Sequence, residues 1–183
     1  MAGRRGEVYG CLEVYVADAS AGSPLLAGGS MRALELKVPP MLLAMLLLVA
    51  MWGLSWCVPH LAIPAEARVA AALLISAAGG SFITLGVFAF RRFRTTVDPT
   101  RPGKTTSFVS SGVYRVTRNP MYLGALMLLV AWAIFLAAPW AFSGPVFFFL
   151  YINRFQIKPE ERILAGLFGE EYSRYVARVR RWL

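Results

Sequence analysis

NPMYLGALMLLVAWAIFLAAPWAFSGPVFFFLYIN, Asn119 to Asn153, is a run of 35 residues without a single charge. As one straight helix at 1.5 Å per residue it would be about 52 Å long, far beyond the roughly 30 Å of hydrocarbon in a bilayer. A run this apolar and this long folds back on itself. The breakers are Ala138-Pro139-Trp140 and Ser143-Gly144-Pro145. Proline lacks the amide donor and clashes with the preceding turn, and glycine weakens a helix. The reading is a tight hairpin of two spans, about 120–137 and 141–157.

Working outward, Val38 to Ala65 and Val69 to Phe90 also carry no charge, and each holds the roughly 20 apolar residues a crossing helix needs. Spans are expected at about 41–58 and 68–90. The 183 residues are 57% hydrophobic and only 16% charged, a balance foreign to soluble domains. The fold class expected is therefore all-α and integral to the membrane, with about four transmembrane helices. One domain covers 31–183, with a cytosolic loop at 91–119 and C-terminal helices over 159–183.

The basic residues test this layout independently. Eighteen of the 19 lysines and arginines fall before the first span, between the second and third, or after Asn153; Arg68 alone falls on the other side. By the positive-inside rule both termini and the 91–118 loop are cytoplasmic. The net charge of +9 then sets topology and favours anionic lipid headgroups, so the bilayer is the expected partner; no motif supports a nucleic-acid role. Oligomeric state has no signature here.

Residue inventory removes several chemistries. Cys11 and Cys57 have no disulfide or zinc spacing, and the lone His60 lies on the opposite face from the polar islands. Ser-His-Asp hydrolysis and HExxH metalloproteolysis are excluded, and no metal is expected. A transporter would place an ionisable residue within a span, and the runs 41–58, 69–90 and 120–153 have none. Residues 1–30 are rich in Gly, Ala and Ser without an apolar h-region, which is the pattern of a flexible tail and not of a signal peptide; Met31-Arg32 resembles a natural chain start.

Two polar islands flank the hairpin. GVYRVTRNPMYLG, Gly112 to Gly124, enters it, with Asn119 placed to cap a helix and Pro120 at the first helical position, where no amide donor is needed. Such a helix end carries free amides and can receive a carboxylate. Lys158-Pro159-Glu160-Glu161-Arg162 leaves the hairpin, with Pro159 expected to kink the chain and Glu160 and Glu161 in a first helical turn that favours acids. Beyond it Ile163, Leu167, Tyr172, Tyr175, Val176, Val179 and Trp182 recur at helical spacing, an amphipathic segment that Gly169 is expected to divide. Trp182 and Arg180 read as interface anchors. Glu170, Glu171, Arg178 and Arg180 belong to the solvated face.

These two islands, in this order and separated by a helical hairpin, resemble the catalytic core of the isoprenylcysteine carboxyl methyltransferase and phospholipid methyltransferase superfamily. The resemblance implies an integral membrane enzyme that holds S-adenosylmethionine in a cytosolic pocket closed by its C-terminal helices, with the acceptor entering from the bilayer. The family's Arg-His-Pro-x-Tyr motif falls on Arg118, Asn119, Pro120, Met121 and Tyr122, and its Glu-Glu pair on Glu160 and Glu161, followed by Arg162. Asn119 stands where the family has histidine, so hydrogen bonding to the cofactor replaces any imidazole base. No Gly-x-Gly triplet exists in the chain, which weighs against a phospholipid acceptor.

Methyl transfer from a sulfonium is an in-line displacement, so the protein chiefly aligns the partners and excludes water. On the resemblance, Glu161, Arg162 and Arg118 are the expected catalytic residues, with Glu161 foremost. Glu160 or Glu161 would bind the cofactor's ammonium or ribose hydroxyls, and Arg118 or Arg162 its carboxylate. Tyr114, Tyr122, Tyr172 and Tyr175 would meet the adenine or sulfonium, completing a cofactor set with Asn119 and Pro120. The expected acceptor is lipophilic: an isoprenylcysteine-like carboxylate, another small hydrophobic acid or thiol, or, as the alternative, a phospholipid amine. A non-catalytic scaffold and a membrane reductase are the rival readings, separable by binding of S-adenosylmethionine or of a nicotinamide cofactor. A chain starting at Met31 is expected to fold and to retain the activity of the full chain; comparing expression, thermal midpoint and turnover of the two checks this, and loss of any of them refutes the dispensable tail.

Overall fold

The computed structural model describes residues 35–92 and 110–183, and these form helices joined by turns, with no strand among them. Helix α1 spans Pro40–Ser55, α2 Ala65–Arg92, α3 Pro120–Leu136, α4 Ser143–Ile152 and α5 Lys158–Val176. The sequence expectations for 1–30, and for most of the loop between α2 and α3, lie outside the described residues.

Helix α2 is the strongest membrane element. Among the described residues, its stretch Ala65–Ala89 is the one helix long and apolar enough to cross a bilayer by length and composition. Glu66 lies in its first turn and Arg91 and Arg92 in its last, matching the helix dipole at both ends. Helices α1 and α3, with 16 and 17 residues, are shorter, and α4 has 10 before its geometry changes. The expectation of four full-length spans is met on length only by the second. The missing residues go into turns: Trp56 to Val58 turn away from α1, and Pro139–Phe142 forms a 3-10 turn.

The hairpin folds where its breakers stand. Helix α3 ends at Leu136, and Ala137 takes a left-handed conformation with φ 49°. Its carbonyl accepts from Leu61 N–H at 2.7 Å, tying the α1–α2 connection to the hairpin tip. Near this end Arg68 lies 6.0 Å from the centroid of the Phe135 ring. The core sits between α1, α3 and α4, where Leu43, Met51, Leu129, Ala133, Phe148 and Ile152 are buried together. Trp132 Nε1 donates to Leu48 O at 3.1 Å across the α1–α3 contact. Outside this core the helices are apolar and exposed, with Met45, Leu46 and Val49 on α1, Leu73 and Leu74 on α2, and Val146 and Leu150 on α4 facing outward. A protein surface this apolar over several helices is suited to lipid.

Helix α4 runs into a π-turn over Asn153–Ile157 and then into α5. Pro159 has no amide to offer the carbonyl four residues back, and Phe155 O accepts instead from Leu36 N–H at 3.1 Å. Glu35 reinforces this join, pairing with Arg154 at 3.0 Å and Arg162 at 2.5 Å. Within α5, Gly169 breaks the helix as the sequence indicates, at φ 48° and ψ −117°. The expected C-terminal helix stops short: after Val176 the chain turns, and residues 180–183 are not helical. Val179 and Trp182 therefore do not continue a helical face. Trp182 is no outward anchor, because its Nε1 donates to Asn153 Oδ1 at 3.2 Å and its ring lies 5.1 Å from that of Phe149.

Helices α2 and α3 meet through glycine. A Cβ on Gly124 would lie 2.5 Å from Gly79 O and 2.6 Å from Ile83 Cγ1, and one on Gly79 would lie 2.8 Å from Gly124 O. Small residues permit this backbone approach where lipid supplies no hydrophobic drive between helices. Gly124→Ala is expected to destabilise the fold by about 1–3 kcal/mol. Gly53→Ala, where an added Cβ meets nothing within 4 Å, is expected to be neutral or stabilising by about 0.5–1 kcal/mol. Thermal unfolding of both variants in detergent checks the pair.

Candidate active site

The N-terminal end of α3 and the start of α5 lie side by side, and the two polar islands meet there. Pro120 starts α3 directly after Asn119, which places Tyr122 in the first turn, buried against the core. Pro159 does the same for α5 and puts Glu160 and Glu161 in its first turn. Gly112, at φ 61°, allows the chain to turn into the 3-10 segment Gly112–Arg115, which buries Tyr114.

The C-terminal residues return across this junction as a strap. Arg118 N–H donates to Arg180 O at 3.0 Å. Thr117 Oγ1 and Asn119 Nδ2 donate to Arg181 O at 3.2 and 2.9 Å. Asn119 thus leads into α3 as expected, but its side chain does not cap the helix; the amide holds the strap.

The two carboxylates face different surroundings. Glu161 has both oxygens taken by guanidinium groups: Arg118 Nη2 lies 3.2 Å from Oε1, and Arg181 donates from Nε to Oε1 at 3.0 Å and from Nη2 to Oε2 at 2.6 Å. The fork-to-fork pairing with Arg181 is the strong form of this contact, and the hydrogen bonds to Glu161 raise the Arg181 pKa further. Among the described residues no cation pairs with Glu160, which accepts from Tyr122 Oη at 3.2 Å. Its residue surface is only partly buried, yet its carboxyl is enclosed. That burial, opposed by the Tyr122 hydrogen bond and reinforced by the charge of Glu161, raises its pKa to about 7.

Tyrosines line the remainder. Tyr175 Oη donates to Tyr114 O at 2.7 Å, and the Tyr172 and Tyr175 rings lie 6.4 Å apart. Burial pushes Tyr172 up to about 12 and raises Tyr114 and Tyr175 well above the usual range, so all three keep their protons at neutral pH. Arg118 hydrogen-bonds Tyr172, while its buried Nε has no partner.

The structure brings together Tyr114, Arg118, Asn119, Pro120, Tyr122, Glu160, Glu161, Tyr172 and Tyr175. Arg162 is apart from them: it points to Glu35 with its side chain 53% exposed. The sequence reading missed Arg181, Thr117 and Gln156. Thr117 and Gln156 are polar side chains buried at 0% and 1% exposure, and burial is not visible in a sequence. Arg181 carried a signal only as one more cation in an arginine-rich tail.

The family model described as phospholipid methyltransferase matches residues 67–171, more than half the chain, and runs from α2 through both islands. The chain belongs to the phospholipid methyltransferase family. This family lies within the isoprenylcysteine carboxyl methyltransferase-like superfamily, so the chain is a membrane methyltransferase of the type that acts on lipid-like substrates. A protein of Haemophilus influenzae (strain ATCC 51907 / DSM 11121 / KW20 / Rd), described as an uncharacterized protein, is 49% identical over 63 residues, covering 34% of this chain and all of that protein. No solved structure matches the chain.

The family match ends at residue 171, so Tyr172, Tyr175 and Arg181 lie outside the matched segment. Among the described residues of this cluster, the pKa of Glu160 is raised toward neutrality. Because the folded pKa of Glu160 is raised from 4.5 to about 7, folding favours its protonated form; that stabilisation is complete below about pH 4.5 and is lost as pH rises through about 7. Between pH 5 and 8 the thermal midpoint is expected to fall more in the wild type than in Glu160→Gln. Parallel slopes in the two proteins would remove Glu160 as the source.

Proposed function

We propose that this chain transfers a methyl group from S-adenosylmethionine to a lipophilic acceptor at the cytoplasmic face of a multi-pass membrane domain. The observation that carries the reading is the enclosed cluster of Glu160, Tyr122, Arg118 and Tyr172 at one end of a bundle with apolar outer faces. Four crossings, α1, α2, α3 and α4, follow the charge-free runs, the π-turn beyond α4 already carrying Arg154, and the one-sided arginines agree with cytoplasmic termini.

The residues present fit the cofactor. The buried, unpartnered Nε of Arg118 is the donor a carboxylate requires, and Glu160 can accept from an ammonium or ribose hydroxyls. The tyrosine rings offer π-faces to a cation. When bound, S-adenosylmethionine supplies an electrophilic methyl on a positively charged sulfur. The chain aligns the acceptor against it and keeps water out. A carboxylate acceptor needs no base; for a thiol or ammonium, Glu160 is the group placed to take the proton.

The favoured acceptor is an isoprenylcysteine-like carboxylate or another small hydrophobic acid or thiol, since the outer faces admit lipophilic molecules. A phospholipid amine is the second reading, favoured by the description of the matching family. Transfer of labelled methyl to a panel of these acceptors in lipid nanodiscs tests both. Glu160→Gln and Glu161→Gln are each expected to lower turnover at least about tenfold, the second with loss of stability because Arg118 and Arg181 lose their partner. Arg162→Ala is expected to stay within about threefold, because Arg162 is half-exposed and pairs with Glu35 away from the cluster. A folded sample that binds no S-adenosylmethionine would sink the enzyme reading.

A further inference from the structure

The residues Phe148, Ile152, Gln156 and Glu160 step by four through α4, the π-turn and α5. In an α-helix four residues overshoot a full turn by about 40°, so three such steps would swing the last side chain about 120° from the first. A π-turn, with its wider i to i+5 bonding, takes more residues per turn and rotates the helix back. Phe148, Ile152 and Gln156 accordingly all stay buried, and Glu160 still meets Tyr122. The row is apolar at Phe148 and Ile152 and turns polar at Gln156 and Glu160. Its carboxamide hydrogen-bonds the Tyr122 side chain, and Tyr122 donates in turn to Glu160 Oε2.

We propose that Gln156 is a positioning residue: by donating to the Tyr122 oxygen it aims the hydroxyl proton at Glu160, and the π-turn holds it in place to do so. The kinetic consequence rests on the methyl-transfer reading; the structural one does not. Tyr122 has one hydroxyl proton and gives it to Glu160, so toward Gln156 its oxygen can only accept, and the chain of donation runs one way, from Gln156 to Tyr122 to Glu160. Weakening the first link loosens the second, and the enclosed Glu160 then holds its proton to higher pH. The other groups around Glu160 are Tyr114 from the 3-10 segment and Glu161 and Tyr172 from α5. Arg118 and Arg181 stand behind Glu161. None of these is altered by substituting Gln156.

The Glu160 carboxyl band can be titrated by infrared difference spectroscopy on ligand-free protein in nanodiscs, with Glu160→Gln to assign it. Gln156→Met, nearly the same size, is expected to raise the midpoint by about half a pH unit or more. Tyr122→Phe is expected to raise it at least as far, and the double variant no further than Tyr122→Phe alone, because the two act in series. An unchanged midpoint in Gln156→Met, or additive shifts in the double variant, overturns the assignment. Should Gln156→Met not fold, Gln156→Asn, polar but too short to reach, carries the same expectation. In methyl-transfer assays Gln156→Met is expected to lower kcat while KM for S-adenosylmethionine stays within about twofold. If the wild type transfers no methyl while the coupled shifts hold, the functional reading fails and the role of Gln156 stands. If transfer is robust and Gln156→Met matches the wild type in midpoint and kcat, the reverse is true.

Discussion

Glu161 joins two arginines from distant parts of the chain, Arg118 before α3 and Arg181 near the C-terminus. Without it, two guanidinium groups would face each other across a partly enclosed junction, and like charges brought together there repel. The hydrogen bonds from Thr117 and Asn119 to Arg181 O could not keep the strap in place against that repulsion. The other site features depend on this closure. Tyr175 reaches Tyr114, Arg118 reaches Tyr172, and Tyr122 reaches Glu160 around the junction that the strap crosses. Two adjacent acids therefore have separate tasks: one holds the site together, and the other is left to interact within it.

The membrane side of the molecule follows a different rule. In the α2–α3 contact the backbones touch through Gly79 and Gly124, since helices in lipid gain from close packing more than from burying apolar surface. The α1–α3–α4 side has a core in the ordinary sense. The polar end is thus rigidly tied by charge and hydrogen bonds, whereas the helical body is held by shape.

Much of this layout was written in the sequence because it depends on backbone chemistry. Pro120 and Pro159 start helices, Gly169 breaks one, and the Ala138–Pro145 region turns the hairpin, each where its own residue type dictates. The encounter of the two polar islands was legible from the hairpin between them. Helix length was less so: hydropathy marks where lipid is tolerated and not where helical geometry ends, and turns absorbed residues assigned to spans. The partners of the charged groups were hidden for another reason. Arg181 finds Glu161 and Glu35 finds Arg162 through tertiary folding, and no periodicity announces either. The resemblance grouped Arg162 with its neighbour Glu161, but adjacent positions on a helix diverge by about 100°, and that divergence sends Arg162 to the other side.

The join between Leu36 and Phe155 has a consequence for biosynthesis. The Glu35 contacts link residues 119 and 127 positions apart, and those of the strap link residues more than 60 apart. Contacts of such separation form late, because the chain between them must be ordered first. On the ribosome, α1 is complete long before its clasp residues have been made, and the polar junction has no closed form until residue 181 is available. The helical body can be inserted and packed while the polar end is still open, so the closed junction forms only after the strap has been made.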